Sequence, residues 1–278
     1  MKKLTLVTAA ALAGSAVFSF NASAQFATTV IAYHSGTGFA TEFGTGAPYT
    51  DSTTALGAPA AATTGEFGAP ITPFNAPYEK EQIVSLGEGG SLTVQFAKPI
   101  QNNAANPYGI DFMIFGSAGF IDTDWPNGVT DGTGSIFGSN SGGVTRVYVG
   151  NSTGNMYLLN PSLAPIVDGM FPTDASGNFH SPVNPSFNNA SFANKTMAEI
   201  SAMYGGSAGG TGFDLAWAVD GLNNPVTLDN IQFIRVDVLS GRSEIDAFSA
   251  VMVPEPSIFV LAALGGSFIL LTRRNWRG

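Results

Sequence analysis

The stretch Gly89-Gly90-Ser91-Leu92-Thr93-Val94-Gln95-Phe96 carries the pattern that decides the fold of this chain. Successive side chains of a β-strand point to opposite faces, so Leu92, Val94 and Phe96 would share one face while Thr93 and Gln95 occupy the other. The sequence therefore predicts a strand over residues 91–96, with one face in an apolar core.

Similar segments recur along the chain, bounded by Gly, Asn and Pro, with only one helical signal. The capping box Thr196-Met197-Ala198-Glu199 predicts the start of a short helix, which Gly205-Gly206 would end. Residues 36–77 and 160–192 lack periodicity and are interpreted as long surface loops. We expect an all-β protein, a single β-sandwich with one short helix. The other predicted strands are residues 110–115, 144–149, 156–159, 231–238 and 244–253.

Composition supports a folded domain. Charged residues make up only 11% of the 278, against about 25% in typical proteins, and the chain has 34 Gly, 16 Pro and 21 Phe. Disordered chains combine low hydrophobicity with high net charge, which this chain does not. Cysteine is absent, which excludes thiol catalysis, cysteine-ligated metal and disulfides.

Residues 25–252 carry a strong negative charge. They contain 6 Lys or Arg against 19 Asp or Glu, a net charge of −13. Such a surface repels nucleic acid and anionic lipid head groups, so we expect no nucleic-acid partner. Cations and neutral polymers remain as partners.

The amino-terminal residues 1–24 have the three parts of a secretory signal peptide. A basic Met1-Lys2-Lys3 precedes the apolar residues 4–20, and Ala22-Ser23-Ala24 forms a small-residue cleavage site before Gln25. We expect cleavage between Ala24 and Gln25, export through the Sec machinery, and a mature domain over residues 25–252. A retained amino-terminal anchor is the alternative.

The carboxyl-terminal residues 253–278 have the composition of a membrane tail. Pro254 and Pro256 favour an extended backbone around Glu255, and an uncharged run over residues 258–271 precedes the basic residues. Fourteen helical residues reach about 21 Å, against a hydrocarbon core of roughly 30 Å. We expect a short transmembrane helix within residues 258–272 that serves as a temporary anchor. The basic residues of the cytoplasmic end are Arg273, Arg274 and Arg277.

This tail resembles the PEP-CTERM sorting signal of Gram-negative bacteria. Pro254, Glu255 and Pro256 match the short motif, and the apolar run and basic end follow it in the same order. The resemblance implies an exosortase as processing enzyme, anchoring in the inner membrane before cleavage, and transfer to the cell surface or extracellular matrix. An ordinary carboxyl-terminal anchor after a Pro-rich linker is the alternative.

A second resemblance concerns residues 89–248. The order of their apolar blocks is similar to that of a jelly-roll domain of bacterial surface proteins, akin to discoidin-like and carbohydrate-binding modules. The chain departs from that pattern after Phe115, where Gly116-Ser117-Ala118-Gly119 replaces an acidic or Asn-containing turn. The resemblance implies the fold and does not assign a ligand.

Enzyme signatures are weak in this sequence, and we expect no catalytic activity. Gly205-Gly206-Ser207-Ala208-Gly209 has the letters of a nucleophile elbow but follows a predicted helix, and no histidine comes later in the chain. His34 and His180 lie among small polar residues and are predicted to be exposed in loops. Paired carboxylates run glycoside hydrolysis, but nothing marks which of the acids would pair.

The best metal candidate is the segment Asp122-Thr123-Asp124-Trp125-Pro126-Asn127-Gly128, followed by Asp131. Oxygen ligands at Asp122 and Asp124 suit Ca²⁺, although Pro126 displaces the third ligand and the Glu of an EF-hand is missing. The alternative is a turn whose side chains bond their own backbone. The same two alternatives, ion ligand or structural acid, apply to three acids beside apolar residues: Asp111, Asp214 and Asp246.

These observations predict a structural or adhesive component of exopolysaccharide or biofilm. The alternatives are a carbohydrate-binding or Ca²⁺-dependent module and, with less support, a secreted hydrolase. Trp125 and Trp217 are candidates for stacking on sugar rings, although Trp217 between two alanines is better interpreted as a core residue.

Overall fold

A computed structural model describes residues 26–42, 44–64, 68–138 and 143–252. These residues form twelve β-strands and one α-helix, and none of their helices is long and apolar enough to cross a membrane. Four short 3₁₀ segments, Ser52–Ala55, Pro107–Gly109, Asn189–Phe192 and Leu215–Trp217, interrupt the loops. In chain order the strands are β1 (Ala27–His34), β2 (Val84–Leu86), β3 (Ser91–Gln101), β4 (Phe112–Gly116), β5 (Gly119–Phe120), β6 (Ile136–Phe137), β7 (Val144–Ser152), β8 (Asn155–Leu159), β9 (Thr211–Phe213), β10 (Ala218–Val219), β11 (Asn230–Ser240) and β12 (Ser243–Ala250).

The larger sheet has six strands in the order β1-β3-β11-β7-β8-β10, and every pair is antiparallel. The strand predicted from residues 91–96 lies inside this sheet, as the second strand from one edge. Val94 pairs with Val30 on one side and with Ile234 on the other, and Ile234 pairs in turn with Val149. This register aligns a row of β-branched side chains across four strands.

The smaller of the two main sheets has four strands in the order β2-β12-β4-β9, also antiparallel, and β5 pairs with β6 in a separate two-stranded sheet. Phe112 of β4 pairs with Phe213 of β9, and their rings stack with centroids 5.2 Å apart. Strand β12 is buried along nearly its whole length, on both of its faces. Its acidic residues Glu244 and Asp246 alternate with Ile245 and Ala247, yet both sets are buried, unlike the polar face of a half-exposed strand.

The two sheets share one apolar core, which confirms the predicted β-sandwich. Fully buried side chains of the larger sheet, among them Leu92, Val94 and Phe96, pack in one cluster with Ile114 and Phe248 of the smaller sheet. All six predicted strands are present, with bounds shifted by a few residues. Strand β1 was not predicted because most of its side chains are exposed and two register shifts break its alternation.

The helix α1 (Met197–Tyr204) confirms the capping-box prediction. Oγ1 of Thr196 accepts a hydrogen bond from the backbone N–H of Glu199, and the Glu199 carboxylate accepts one from the N–H of Thr196. Gly205 ends the helix in the left-handed region, at φ 61°. Ile200 and Tyr204 are the residues that the helix buries.

The long loops do more than cover the surface, and this part of the sequence interpretation was wrong. Residues of the 160–192 segment pack with α1 and β5 into a second, aromatic core, in which the Phe192 ring lies 5.1 Å from that of Phe120 and 5.8 Å from that of Tyr204. Aromatic rings bury large areas without any periodic spacing, so the loop sequence gave no signal of this core. Its buried members are Phe120, Phe171, Val183, Phe192, Ile200 and Tyr204.

Candidate functional site

The turn proposed to bind calcium is closed by the carboxylate of Asp122. Oδ1 accepts hydrogen bonds from the backbone N–H groups of Asp124 (2.8 Å) and Val129 (3.0 Å), and Oδ2 accepts one from Gly128 (3.2 Å). The Asp124 carboxylate accepts a hydrogen bond from the Asn127 side chain at 3.2 Å. Both acids therefore accept hydrogen bonds from groups of their own turn. This is the geometry expected of a structural turn, the alternative to a calcium site.

The turn is also fixed to the amino-terminal end of α1. The N–H of Met197 donates to the carbonyl oxygen of Gly128 at 3.1 Å, and the N–H of Thr130 donates to that of Lys195 at 3.0 Å. Asp131 bonds Thr133 instead, in a separate turn. Among the residues that the structure describes, no three Asp, Glu or His side chains converge as a metal site.

Asp111 is a buried acid that links the loop between β3 and β4 to the 3₁₀ segment Leu215–Trp217. Its Oδ1 accepts hydrogen bonds from the Asn103 N–H and the Asn106 side chain, and its Oδ2 accepts one from the Leu215 N–H, each at 2.9 Å. Burial raises the pKa of Asp111, while these donors oppose the rise. Burial also raises the pKa of Asp214, which caps the following 3₁₀ segment through the N–H of Ala216.

Asp246 is buried in β12 and holds a distant loop. Both carboxylate oxygens lie near the Ala60 N–H, at 3.0 and 3.2 Å. Burial raises the pKa of Asp246 to about 8, and the Ala60 hydrogen bond lowers it only in part. Because a buried carboxylate is costly and the Ala60 N–H is its one donor among the described residues, this environment favours the neutral form.

Two further buried acids, Asp168 and Glu244, were not singled out in the sequence. Asp168 Oδ1 accepts a hydrogen bond from the Ala118 N–H at 2.9 Å, while Oδ2 is buried and has no hydrogen-bond partner of ordinary geometry among the described residues. Burial, followed by repulsion from the Glu244 carboxylate, raises the pKa of Asp168 well above its usual range. Burial likewise raises the pKa of Glu244, and the Arg242 guanidinium, 3.4 Å away, lowers it. The sequence signal for Glu244 was its place among the apolar residues of β12, whereas Asp168 lies in a turn and had no such signal.

Both histidines were predicted to be exposed in loops, and each prediction was half right: His34 is exposed but ends strand β1, and His180 lies in a loop but is partly buried. Nδ1 of His180 lies 2.8 Å from Oγ of Ser249 and 3.1 Å from the carbonyl oxygen of Ala250. The His180 ring also packs on Phe26, with centroids 4.8 Å apart. Burial lowers the pKa of His180.

The Gly-Ser loop at residues 205–209 has no geometry of a nucleophile elbow. The Ser207 side chain is buried and its Oγ accepts a hydrogen bond from the Gly209 N–H at 3.0 Å. It therefore closes its own turn. Ser249, the serine beside His180, is fully buried as well.

The two tryptophans of the described domain have opposite environments. Trp217 packs partly buried against the main core and against a smaller cluster behind β4, in agreement with its interpretation as a core residue. Trp125 is 82% exposed, on the turn that Asp122 closes. Trp125 is thus the tryptophan available to a ligand.

The residues predicted to direct sorting lie outside the described part of the chain. This applies to the cleavage site (Ala22, Ala24 and Gln25), the motif (Pro254, Glu255 and Pro256), the apolar segment 258–272 and the basic end (Arg273, Arg274 and Arg277). Comparison with known proteins found no family model and no curated protein that matches this chain.

Proposed function

We propose that this chain is an exported bacterial surface protein whose PEP-CTERM tail, residues 253–278, is processed by an exosortase. The observation that carries the proposal is that a secretory leader and a sorting tail occur in the same chain. In the tail, a Pro-Glu-Pro motif, a short apolar run and arginines follow one another in that order. After export through the Sec machinery, the apolar run anchors the protein in the inner membrane. Processing then transfers it to the cell surface or extracellular matrix of a Gram-negative bacterium.

The described domain supports this arrangement by its short distance along the sequence from the apolar run. Met252 is the last described residue, and only residues 253–257 separate it from the start of the apolar run. Five extended residues span at most about 18 Å. Before processing, the domain is therefore held close to the outer face of the inner membrane.

The domain itself serves as a structural or adhesive component of exopolysaccharide or biofilm, with jelly-roll topology and no catalytic role. Its buried serines, Ser207 and Ser249, are inaccessible to a substrate. The net charge of −13 on residues 25–252 favours neutral polymers over anionic ones as partners. The second core fixes the long loops to the β-sandwich, which suits the domain to a structural role.

Two tail variants test the sorting proposal. Replacing Arg273, Arg274 and Arg277 by Ser removes the cytoplasmic stop, whereas Glu255→Ala leaves the anchor and alters the motif. Intact-mass analysis of protein from membranes and medium should show unprocessed chain for Glu255→Ala and mislocalised chain for the triple variant. If both variants mature and leave the membrane like the parent, the proposal is wrong.

Carbohydrate binding is a second candidate function, favoured by the exposure of Trp125. An indole ring offers an apolar face to the apolar face of a pyranose, and Asp124 and Asn127 beside it carry polar groups. Leu222 is a matched control because it is equally exposed, at 82%, in a different turn. A glycan array, with and without chelator, should show saturable binding that Trp125→Ala abolishes and Leu222→Ala retains. Absence of saturable binding to any glycan leaves the structural role alone.

A further inference from the structure

The two ends of the described chain meet at His180. Phe26, the first described residue, forms a β-bridge with Ser249 of the last strand, and its ring packs on the imidazole of His180. The same imidazole bonds Ser249 or Ala250, according to its tautomer. One side chain therefore contacts both the start and the end of the domain.

Backbone hydrogen bonds continue this contact beyond strand β12. The N–H of Val251 donates to the carbonyl oxygen of Asp111 at 2.9 Å, and the N–H of Met252 donates to that of His180 at 3.1 Å. Val251 is buried as well. The chain is thus paired to the domain up to Met252.

The loop that carries His180 is itself fixed. The His180 N–H donates to the Asn178 side chain at 2.9 Å, and the Asn178 backbone pairs with Gly206 and Ala208, each through one hydrogen bond. These contacts attach the loop to the segment after α1. The backbone of His180 is therefore held in place by hydrogen bonds to the rest of the domain.

This arrangement bears on access to the sorting motif. Pro254 is two residues beyond Met252 in the sequence. A processing enzyme binds its substrate in an extended form on both sides of the bond that it cleaves, and a strand already paired in a domain is withheld from it. Opening of the last residues of the domain would expose a longer extended segment.

We infer that His180 is a positioning residue for tail processing: it keeps residues 249–252 docked and so limits the rate at which an exosortase engages the motif. The inference rests on the proposed sorting function. In this role His180 acts through the chain that it holds and not by contact with the processing enzyme. The partner contact on the other side is Phe26, so docking of the tail depends also on the mature amino terminus.

The test measures local opening and processing together. In the purified full chain, His180→Ala should accelerate hydrogen exchange at the amides of Val251 and Met252 about fivefold, the factor of one ordinary hydrogen bond. In cells, timed intact-mass analysis should show processing accelerated by a similar factor. His180→Asn, which keeps a hydrogen-bonding group near the position of Nδ1, should restore both rates toward the parent values.

Two controls separate this role from general destabilisation. His34→Ala changes the other, exposed histidine and should alter neither rate. Ile234→Val removes a methylene from the core of the larger sheet and should lower the melting temperature without accelerating processing. The inference is overturned if His180→Ala leaves exchange or processing at the parent rate, or if Ile234→Val accelerates processing equally. If instead both tail variants, Glu255→Ala and the triple arginine variant, mature like the parent, the sorting function itself is rejected.

Discussion

Gly116 lies directly beneath the carboxylate of Asp168: a β-carbon on Gly116 would be 2.1 Å from Oδ1 of Asp168 and 2.6 Å from the backbone oxygen of Glu244. The turn after Phe115, where the jelly-roll resemblance leads one to expect an acidic or Asn side chain, thus receives a carboxylate from another segment. The Ala118 N–H of that turn bonds it. An acid from a distant loop occupies the space above the turn.

Gly116→Ala should destabilise the protein by about 1–3 kcal/mol, the usual cost of overpacking, because a backbone oxygen as well as Asp168 must move. Denaturant unfolding, monitored by fluorescence, measures the loss. Gly154→Ala is the control, since a β-carbon there meets no atom within 4 Å. Equal midpoints for the two variants would contradict the close contact.

The stability of the protein should fall as the pH rises toward 8, and Asp246 should contribute to that fall. The folded protein holds the Asp246 proton up to a pKa of about 8, whereas an unfolded Asp releases it near pH 4. The contribution is therefore complete below about pH 4 and is lost as the pH rises to about 8, at up to about 1.4 kcal/mol per pH unit. Melting temperatures measured from pH 4.5 to 9 test this.

Asp246→Asn should flatten this pH dependence because it keeps the neutral, hydrogen-bonding shape at every pH. Asp220→Asn is the control: hydrogen bonds from Asn224 lower the pKa of Asp220, so its loss should not reduce the decline toward alkaline pH. A parent protein whose melting temperature is constant between pH 5 and 8 would show that Asp246 is ionised in the folded state.

Thr196→Ala should destabilise the protein by about 1 kcal/mol because it removes the cap of α1. The helix carries Ile200 and Tyr204 into the aromatic core, so the loss should appear in the global unfolding midpoint. Thr196→Ser retains the hydroxyl and should stay near the parent midpoint. If Thr196→Ser lowers the unfolding midpoint as much as Thr196→Ala does, the stability depends on the methyl group of Thr196 and not on its capping hydrogen bond.

Asp122→Ala should lower the melting temperature whether or not calcium is present, because it removes an acceptor from three backbone N–H groups. A calcium site at Asp122 and Asp124 has a different signature: millimolar Ca²⁺ would stabilise the parent, as ligand binding to the native state does, and the double variant Asp122→Ala with Asp124→Ala would lose that stabilisation. Scans in Ca²⁺, Mg²⁺ and chelator distinguish the two.

The sequence predicted those parts of the fold in which local chemistry and burial agree. The alternation around Val94 and the capping box at Thr196 each state a local preference that the packing reinforces. Strand β1 was not predicted because an exposed, bulged edge strand has no apolar–polar alternation to detect. The aromatic core around Phe192 was not predicted because its loop residues come into contact without a regular spacing in the sequence.

The candidate sites were harder to predict for a related reason. The pairing of Asp168 with Glu244, and of His180 with Phe26 and Ser249, depends on contacts between segments far apart in the chain. Residue type alone marked Asp122 and Asp246 as notable acids. Only the structure shows which backbone groups they bond.

The edges of the two sheets bear on how copies of this protein can associate. Strands β2 and β9 have three residues and β10 has two, and the one long edge strand, β1, is interrupted by two register shifts. Short or bulged edges are poor templates for adding a strand from another molecule. A concentrated solution of this protein should therefore resist growth into cross-β fibres, and contacts between copies would be made by side chains rather than by extension of a sheet.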